Sequence, residues 1–466
     1  MTNLTKSILC LVVATTSTND FFFPTTSAFS FQKLSTKQYS TPLISSTQLF
    51  STQQQQSSFL PLDRAVRREV DQFQAWAGQC GVQAENGFCL AGDMVDENED
   101  YYAVTSTGGA RGSRVLFVPG EMILSASMVA GEYQGYIEKS LSIVGGKGYH
   151  HLYAQFVLFL KILVEYEQGT NSPYYPWLAA LPRAWNTAVS FDGFCMTCLP
   201  PYLKSLCEVE RTRFKGFKEG LKAFDYLSPE SKQNEQLLKF AYNVVFTRSF
   251  PTPDGDYRIA PVADMFNHGY PDNVQVSYDQ NGNCEVYLKE DVAPGTPLTL
   301  SYGEPTNPSR LLSIYGFLNE APAAYCKILF THPSQELKDV GYNSNRMLFY
   351  TQDGSISQEV WDVLLFSRLE KKKNKQDMKN AFYQAHMNGD QQTKMSIHAE
   401  FQEETTKALL RHVNHVLIEV HELTVKMNSF DSSKHPRLPL LLRHHAMVTE
   451  TFAKVRDNLS AMLSYQ

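Results

Sequence analysis

The sequence predicts an α+β protein whose mixed first part is followed by an all-helical last part. Residues 258–320 contain short alternating strand segments separated by turn residues, and residues 150–250 contain long apolar segments with helical spacing. From about residue 325 to residue 466 only helical patterning is found. We therefore expect small β-sheets over 63–320, interrupted by a helical insert at about 150–250, and then an all-α lobe over 325–466.

Length and composition narrow the class of protein. The chain has 466 residues, of which 43% are hydrophobic and 19% charged, as is ordinary for a globular protein of more than one folding unit. With a net charge of −6, the chain lacks the overall positive charge that would attract the phosphates of nucleic acid. The eight cysteines are scattered, which indicates free thiols in a reducing compartment. We expect a monomer that binds neither nucleic acid nor membrane.

Residues 1–60 have the composition of a cleaved leader. A short apolar run from Ile8 to Ala14 follows Lys6 and is too short to span a bilayer. Asp and Glu are absent from Phe21 to Leu62, where Ser, Thr and Gln abound. A signal peptide followed by Ser27-Ala28-Phe29 and a Ser/Thr-rich stretch resembles the bipartite presequence of algae with secondary plastids. We expect import into the plastid stroma, with the secretory pathway as the alternative.

The region from Asp63 to about residue 150 begins with a helix and continues with strands. Asp63 to Ala77 has helical spacing, and Asp63 is a suitable N-cap. A glycine-rich loop follows, with Gly109, Ala110 and Arg111 at its centre, before the strand of Val115 to Val118. Glycines allow a backbone to approach a ligand closely, although such loops are also common turns.

The insert is predicted to be helical and to lack chemistry of its own. His150 to Glu167 and Leu237 to Phe250 are its long apolar helices. Cys195 and Cys198 have a metal-like spacing, but a structural zinc needs four ligands and no fourth partner of Cys207 is near in sequence. We expect no metal.

Polar and aromatic residues with a distinctive order lie between Arg258 and Glu320. An apolar run ends at Asn267-His268, preceded by Asp264, and two tyrosines followed by glycine come later, Tyr302 and Tyr315. Between them, Asn281-Gly282 separates two alternating segments and predicts a hairpin.

This pattern of Asn-His, Tyr-Gly and Tyr-Gly-Phe resembles the C-terminal half of a SET methyltransferase domain. It is most similar to the subfamily of the Rubisco large-subunit lysine methyltransferases and their actin-histidine and non-histone relatives. The resemblance implies SET β-sheets with a pseudoknot-like C-terminal segment. It also implies that the helical lobe binds a folded protein substrate, for which Rubisco large subunit or aldolase would be typical.

The resemblance also implies roles for individual residues. Tyr302 would be the catalytic tyrosine, and Tyr315 would line the substrate channel beside it. Asp264 and Arg248 would contact the substrate, with Arg248 also reaching the cofactor, S-adenosylmethionine. The remaining cofactor-binding residues would be Asn267, His268 and the Gly109, Ala110 and Arg111 loop.

The reaction explains why such residues are needed. Methyl transfer from a sulfonium is an in-line displacement, so catalysis consists mostly of positioning and electrostatics. The attacking amine must be neutral, and a dry aromatic channel disfavours its charged form. The sequence predicts a protein-lysine N-methyltransferase. A protein-histidine N-methyltransferase and a catalytically inactive SET-fold binding module remain alternatives.

Overall fold

The computed structural model describes residues 59–64, 66–92, 101–303, 308–319, 325–326 and 333–464. Except for its last two residues, the predicted leader of residues 1–60 lies outside these ranges. Within them, no helix combines the length and the apolar character that crossing a bilayer requires.

Short strands follow one helix in the first part of the chain. These elements are α1 (Val70–Gln79), β1 (Gln83–Ala84), β2 (Phe88–Gly92), β3 (Tyr101–Thr105), β4 (Arg114–Val118) and β5 (Leu124–Ser125). As predicted, α1 buries one side, formed by Val70, Phe73 and Ala77. The prediction that this helix starts at Asp63 was wrong, because the Asp63 carbonyl instead accepts the N–H of Val66 in a separate turn.

The region between β5 and β6 is helical, and its helices begin at Ala126, earlier than the predicted boundary at about residue 150. It comprises α2 (Ala126–Glu132), α3 (Glu138–Gly146), α4 (Tyr153–Gln168), α5 (Tyr175–Ala180), α6 (Gly193–Thr197), α7 (Pro201–Leu221), α8 (Pro229–Gln233) and α9 (Glu235–Arg248). Helix α4 is buried along most of its length, which explains why its apolar run is nearly continuous.

The Asn234 side chain caps α9, the helix that ends at Arg248. Its Oδ1 accepts the N–H of Leu237 at 3.1 Å. Replacing an N-cap asparagine by alanine leaves a helix donor unsatisfied, so we expect Asn234→Ala to lower the free energy of unfolding by about 1 kcal/mol. Urea unfolding measures this change. Asn234→Asp keeps the acceptor and serves as the control; an equal loss in both variants would contradict the capping role.

The second group of strands completes the sheets. It consists of β6 (Phe250–Pro251), β7 (Tyr257–Ile259), β8 (Asn267–His268), β9 (Val274–Tyr278), β10 (Cys284–Leu288) and β11 (Thr296–Leu300). The sheets have the strand orders β1-β4-β10-β9, β2-β3-β11-β8 and β5-β7-β6. The pairing of β8 with β11 is parallel, with Asn267 opposite Thr299, and the other pairs are antiparallel.

Helices dominate the remainder of the chain. The elements are α10 (Pro308–Tyr315), β12 (Tyr325–Cys326), α11 (Gln335–Asp339), β13 (Leu348–Phe349), α12 (Gln358–Glu370), α13 (Gln376–Met387), α14 (Gln391–Met427) and α15 (Leu438–Ser464). Helix α14 begins at Gln391, where the Asp390 side chain caps it, and Ile397 and Phe401 belong to its buried side.

The helical lobe contains a buried polar network around Asp362. The Lys394 ammonium lies 2.7 Å from Asp362 Oδ2, the Tyr342 hydroxyl donates to the same oxygen at 2.6 Å, and His398 Nε2 lies 2.7 Å from Oδ1. Burial opposes ionisation, but these partners hold the pKa of the Asp362 carboxyl well below its usual range. The network therefore stabilises the lobe above the ordinary aspartate pKa, and this contribution is lost in strong acid.

A cluster of buried apolar side chains joins the insert to the helical lobe. It includes Phe191, Cys195 and Leu203 from the insert, Leu312 from α10 and Leu441 from α15. Burial raises the pKa of the Cys195 thiol to about 11, so this side chain is a core residue and not a reactive thiolate.

Candidate active site

Four aromatic side chains meet where β11 ends. The ring of Tyr302 lies 4.8 Å from that of Tyr315 and 5.4 Å from that of His268, centroid to centroid. Phe317 lies 5.6 Å from His268 and 6.2 Å from Tyr302. The structure therefore brings the three predicted residues Tyr302, Tyr315 and His268 into one cluster.

The Tyr302 side chain is held by the backbone around it. Its hydroxyl donates to the Phe266 carbonyl at 2.5 Å, and its own backbone N–H donates to His268 Nδ1 at 3.1 Å. The Tyr315 hydroxyl reaches the Tyr302 carbonyl at 3.4 Å, which is a weak hydrogen bond. Tyr302 is thus the better fixed of the two phenols.

His268 is a neutral imidazole in this arrangement. Because Nδ1 accepts a backbone N–H, the ring proton is assigned to Nε2. Burial lowers the pKa of His268, which agrees with this assignment. Its neighbour Gly269 allows the parallel strands to approach, since a Cβ there would lie 2.1 Å from Thr299 Oγ1.

The segment before Asn267 is a tight turn with an unusual backbone. Val262 has φ +76°, a left-handed conformation that costs energy for a β-branched residue. A 3-10 turn, Ala263–Met265, follows directly and leads to Phe266, whose carbonyl receives the Tyr302 hydroxyl. This turn therefore sets the position of the acceptor on which Tyr302 is fixed.

Arg248 and Trp177 hold Asp264 within that turn. Arg248 Nη1 donates to the Asp264 carbonyl at 2.7 Å and lies 3.3 Å from Oδ2, and Trp177 Nε1 donates to Oδ2 at 3.0 Å. The Asp264 side chain is 0% exposed. Burial raises the pKa of this carboxyl, while Arg248 and Trp177 act in the opposite direction. Asp264 Oδ1 and Arg248 Nε have no hydrogen-bond partner among the described residues.

Asn267 connects the cluster to the start of β3. Its Nδ2 donates to the Tyr101 carbonyl at 3.3 Å. The Arg68 guanidinium lies over the Tyr101 ring at 4.7 Å, and Arg68 Nη2 lies 3.9 Å from Met265 Sδ. Arg248 Nη1 lies 3.4 Å from the same sulfur, so two guanidinium groups converge beside the turn.

Sequence reasoning did not identify Arg68 or Trp177 as site residues. Arg68 precedes α1 by two residues, and no motif marks it. Trp177 belongs to an aromatic-rich stretch that has the composition of an ordinary core segment. Only the long-range contacts of these side chains, with Met265 and Asp264, reveal their place in the site.

The structure does not bring Gly109, Ala110 and Arg111 to the aromatic cluster. Gly109 pairs with Val292, and the Arg111 N–H donates to Asp291 Oδ1 at 2.7 Å. This loop follows the last residue of β3, whereas Asn267 contacts the first. At roughly 3.3 Å per residue, the length of the strand separates the two places. These contacts make the loop brace the β10–β11 connection, and its assignment to the cofactor stays a prediction.

The segment after α10 crosses the insert closely. The Ala188 N–H donates to the Ser313 carbonyl at 2.9 Å. Gly316 has φ +84°, and a Cβ there would lie 2.9 Å from the Asn186 carbonyl carbon. Glycine is needed at this crossing, which places Tyr315 and Phe317 against Tyr302.

Comparison with known proteins supports the predicted architecture. No protein-family model matches the chain. SET domain-containing protein 8 of Schizosaccharomyces pombe is 31% identical over 74 residues, which are 16% of this chain and 17% of that protein. The chain thus matches well under two thirds of this curated relative.

Solved structures match over most of their length. Rubisco LSMT bound to sinefungin and monomethyllysine superposes with a TM-score of 0.61 and 14% identity, covering 85% of this chain and 92% of that chain. Rubisco LSMT bound to AdoMet gives 0.60 and 14%, with the same coverage. The SET domain of LSMT bound to lysine and AdoHcy gives 0.59 and 14%, covering 84% and 91%. These similarities confirm the predicted fold class: the chain has the SET-domain fold, followed by a C-terminal region that is all-helical from Gln358, after the short strands β12 and β13.

Proposed function

We propose that the chain is an S-adenosylmethionine-dependent protein-lysine N-methyltransferase that acts on a non-histone protein of the plastid stroma. The observation that carries this proposal is the position of Tyr302. Its hydroxyl is fixed on the Phe266 carbonyl, and its ring lies between His268 and Tyr315. The solved structures with this fold contain AdoMet, AdoHcy or lysine, which supports the same chemistry here.

The residues around the turn fit a cofactor that carries a carboxylate and an amino group. Arg68 and Arg248 converge on Met265, and Arg248 Nε is a buried donor without a partner among the described residues. We assign the cofactor to these arginines together with Asn267 and His268. When bound, S-adenosylmethionine supplies an electrophilic methyl group on a sulfonium sulfur.

The protein contributes orientation and exclusion of water. The aromatic cluster provides an apolar lining for the acceptor side chain, and such surroundings lower the pKa of an ammonium and favour the neutral amine. Tyr302 keeps its hydroxyl in one direction because the Phe266 carbonyl accepts its hydrogen bond. A fixed dipole at the reacting centre needs no reorganisation during the reaction.

Substrate and location are part of the proposal. The helical lobe is assigned to docking a folded protein such as Rubisco large subunit or aldolase, with the enzyme acting as a monomer. A fusion of residues 1–60 to a fluorescent protein tests the location. Fluorescence in the plastid is expected, whereas fluorescence in the cytosol or in secreted material would contradict it.

Calorimetric titration with S-adenosylhomocysteine tests the cofactor site. We expect binding with one ligand per chain. The absence of heat under conditions where the protein is folded would favour a SET-fold binding module, the alternative from another functional class.

Labelling of a stromal extract with methyl-labelled cofactor tests the acceptor. Mass spectrometry of the labelled protein should locate the methyl group on a lysine Nζ. A methyl group on a histidine ring nitrogen would establish the protein-histidine alternative instead.

A further inference from the structure

The only polar group of the Trp177 side chain, its indole N–H, forms a hydrogen bond with the carboxylate of Asp264. Trp177 lies in α5 and is 0% exposed. Its Nε1–H donates to Asp264 Oδ2 at 3.0 Å, across 87 positions of the sequence. A buried indole N–H needs a hydrogen-bond partner, and here the partner is a buried carboxylate, which itself needs donors to remain ionised.

The bonded carboxylate belongs to the turn that fixes Tyr302. Asp264 lies two residues before Phe266, whose carbonyl accepts the Tyr302 hydroxyl at 2.5 Å. The turn starts at Val262, with φ +76°, so its backbone does not maintain this shape by intrinsic preference. Two side chains from different helices, Arg248 of α9 and Trp177 of α5, donate hydrogen bonds to Asp264 in this turn.

We propose that Trp177 is a positioning residue of the active site: its indole N–H holds Asp264, and through the turn it holds the Phe266 carbonyl on which Tyr302 is oriented. This inference rests on the proposed methyl transfer and adds a residue to that site. Among the described residues, Trp177 forms its hydrogen bond with Asp264 and not with Tyr302, so its effect on Tyr302 passes through Asp264.

The charge state of Asp264 gives this role a measurable signature. The charged groups that face the turn are Arg248 from α9 and Arg68 from the segment before α1, and the titratable groups at its end are His268 and Tyr302. Burial already raises the pKa of Asp264. Loss of the Trp177 N–H removes a donor that favours the carboxylate, so the pKa must rise further.

Trp177→Phe is the decisive variant, because it keeps an aromatic ring and removes the N–H. We expect the acidic limb of its kcat–pH profile to move to higher pH by about one unit, since a hydrogen bond to a charged group is removed. The loss in kcat should approach about tenfold at the acidic end of the profile and shrink as the pH rises, while KM for the cofactor changes little. Trp185→Phe is the matched control, because Trp185 is a buried indole that packs on Phe240 at 5.5 Å and does not bond Asp264.

Unfolding in urea between pH 4 and pH 8 provides a readout that needs no activity. A carboxyl whose folded pKa is raised makes the protein less stable as pH rises from the unfolded pKa to the folded pKa. In Trp177→Phe this decline should continue to higher pH than in the wild type and in Trp185→Phe.

Different outcomes would contradict the positioning role of Trp177 and the proposed methyltransferase function. A Trp177→Phe protein whose kcat–pH and unfolding profiles have the same shape as those of Trp185→Phe would overturn the positioning role. A wild-type protein that binds no S-adenosylhomocysteine and transfers no methyl group would instead contradict the proposed function. In that case the pH dependence of unfolding alone decides whether the Trp177 N–H lowers the pKa of Asp264.

Discussion

Tyr302→Phe is expected to lower kcat of methyl transfer by about 100-fold or more, since removal of one preorganised polar group from a reacting centre costs that much. The variant keeps the ring and its contacts with Tyr315 and His268, but loses the hydroxyl that Phe266 orients. Cofactor affinity should stay within about twofold, because Tyr302 is assigned to the transition state and not to ground-state binding. Initial rates with labelled cofactor, together with calorimetric titration, measure both quantities.

Tyr315→Phe is the comparison within the same cluster. Its hydroxyl lies 3.4 Å from the Tyr302 carbonyl, which is a weak contact, so its removal should cost less than a tenth of what the loss of the Tyr302 hydroxyl costs. Equal losses in the two variants would show that the orientation of Tyr302 by the Phe266 carbonyl has no special part in the reaction.

Arg248→Met is expected to lower the free energy of unfolding by about 3 kcal/mol near pH 8, because it leaves the buried Asp264 carboxylate without its cationic partner. The pKa of Asp264 is already raised by burial and should rise further in the variant. The destabilisation should therefore shrink as pH falls through that higher pKa, because the neutral carboxyl needs no partner. Urea unfolding followed by tryptophan fluorescence at pH 5 and pH 8 measures the difference.

The double variant Arg248→Met/Asp264→Asn tests whether the unpaired charge of Asp264 causes the loss of stability in Arg248→Met. It removes the buried charge together with its partner, so part of the lost stability should return at pH 8. Lys222→Met, which breaks an exposed pair with Glu219, should leave the unfolding midpoint unchanged. A loss in Arg248→Met that is the same at both pH values would contradict the account based on the Asp264 charge.

Local patterns were sufficient to predict much of the fold. The hairpin of β9 and β10 follows from alternation around Asn281-Gly282, and the structure has it at Val274–Tyr278 and Cys284–Leu288. Helix starts were less predictable, because they depend on which side chain caps the backbone. Asp63 has the right chemistry, but α1 begins at Val70 with Glu69 at its N-cap, whereas the Asp390 side chain caps α14.

The site was only partly predictable, for a related reason. The resemblance placed Tyr302, Tyr315 and His268 together, and the structure does bring their rings within contact. Glycines alone, however, do not distinguish a ligand loop from a turn, so the cofactor role of the loop at Gly109 stays a prediction. The contact of Trp177 with Asp264 links segments far apart in the sequence, and no local pattern encodes it.

The crossing of Gly316 over Asn186 determines when this site is completed during biosynthesis. As the nascent chain leaves the ribosome, the sheets and the Asn-His segment emerge first, and the second phenol arrives only after they exist. A chain that ends between Tyr302 and Tyr315 should accordingly have the first phenol without the second, and so an incomplete site, even when everything upstream has folded.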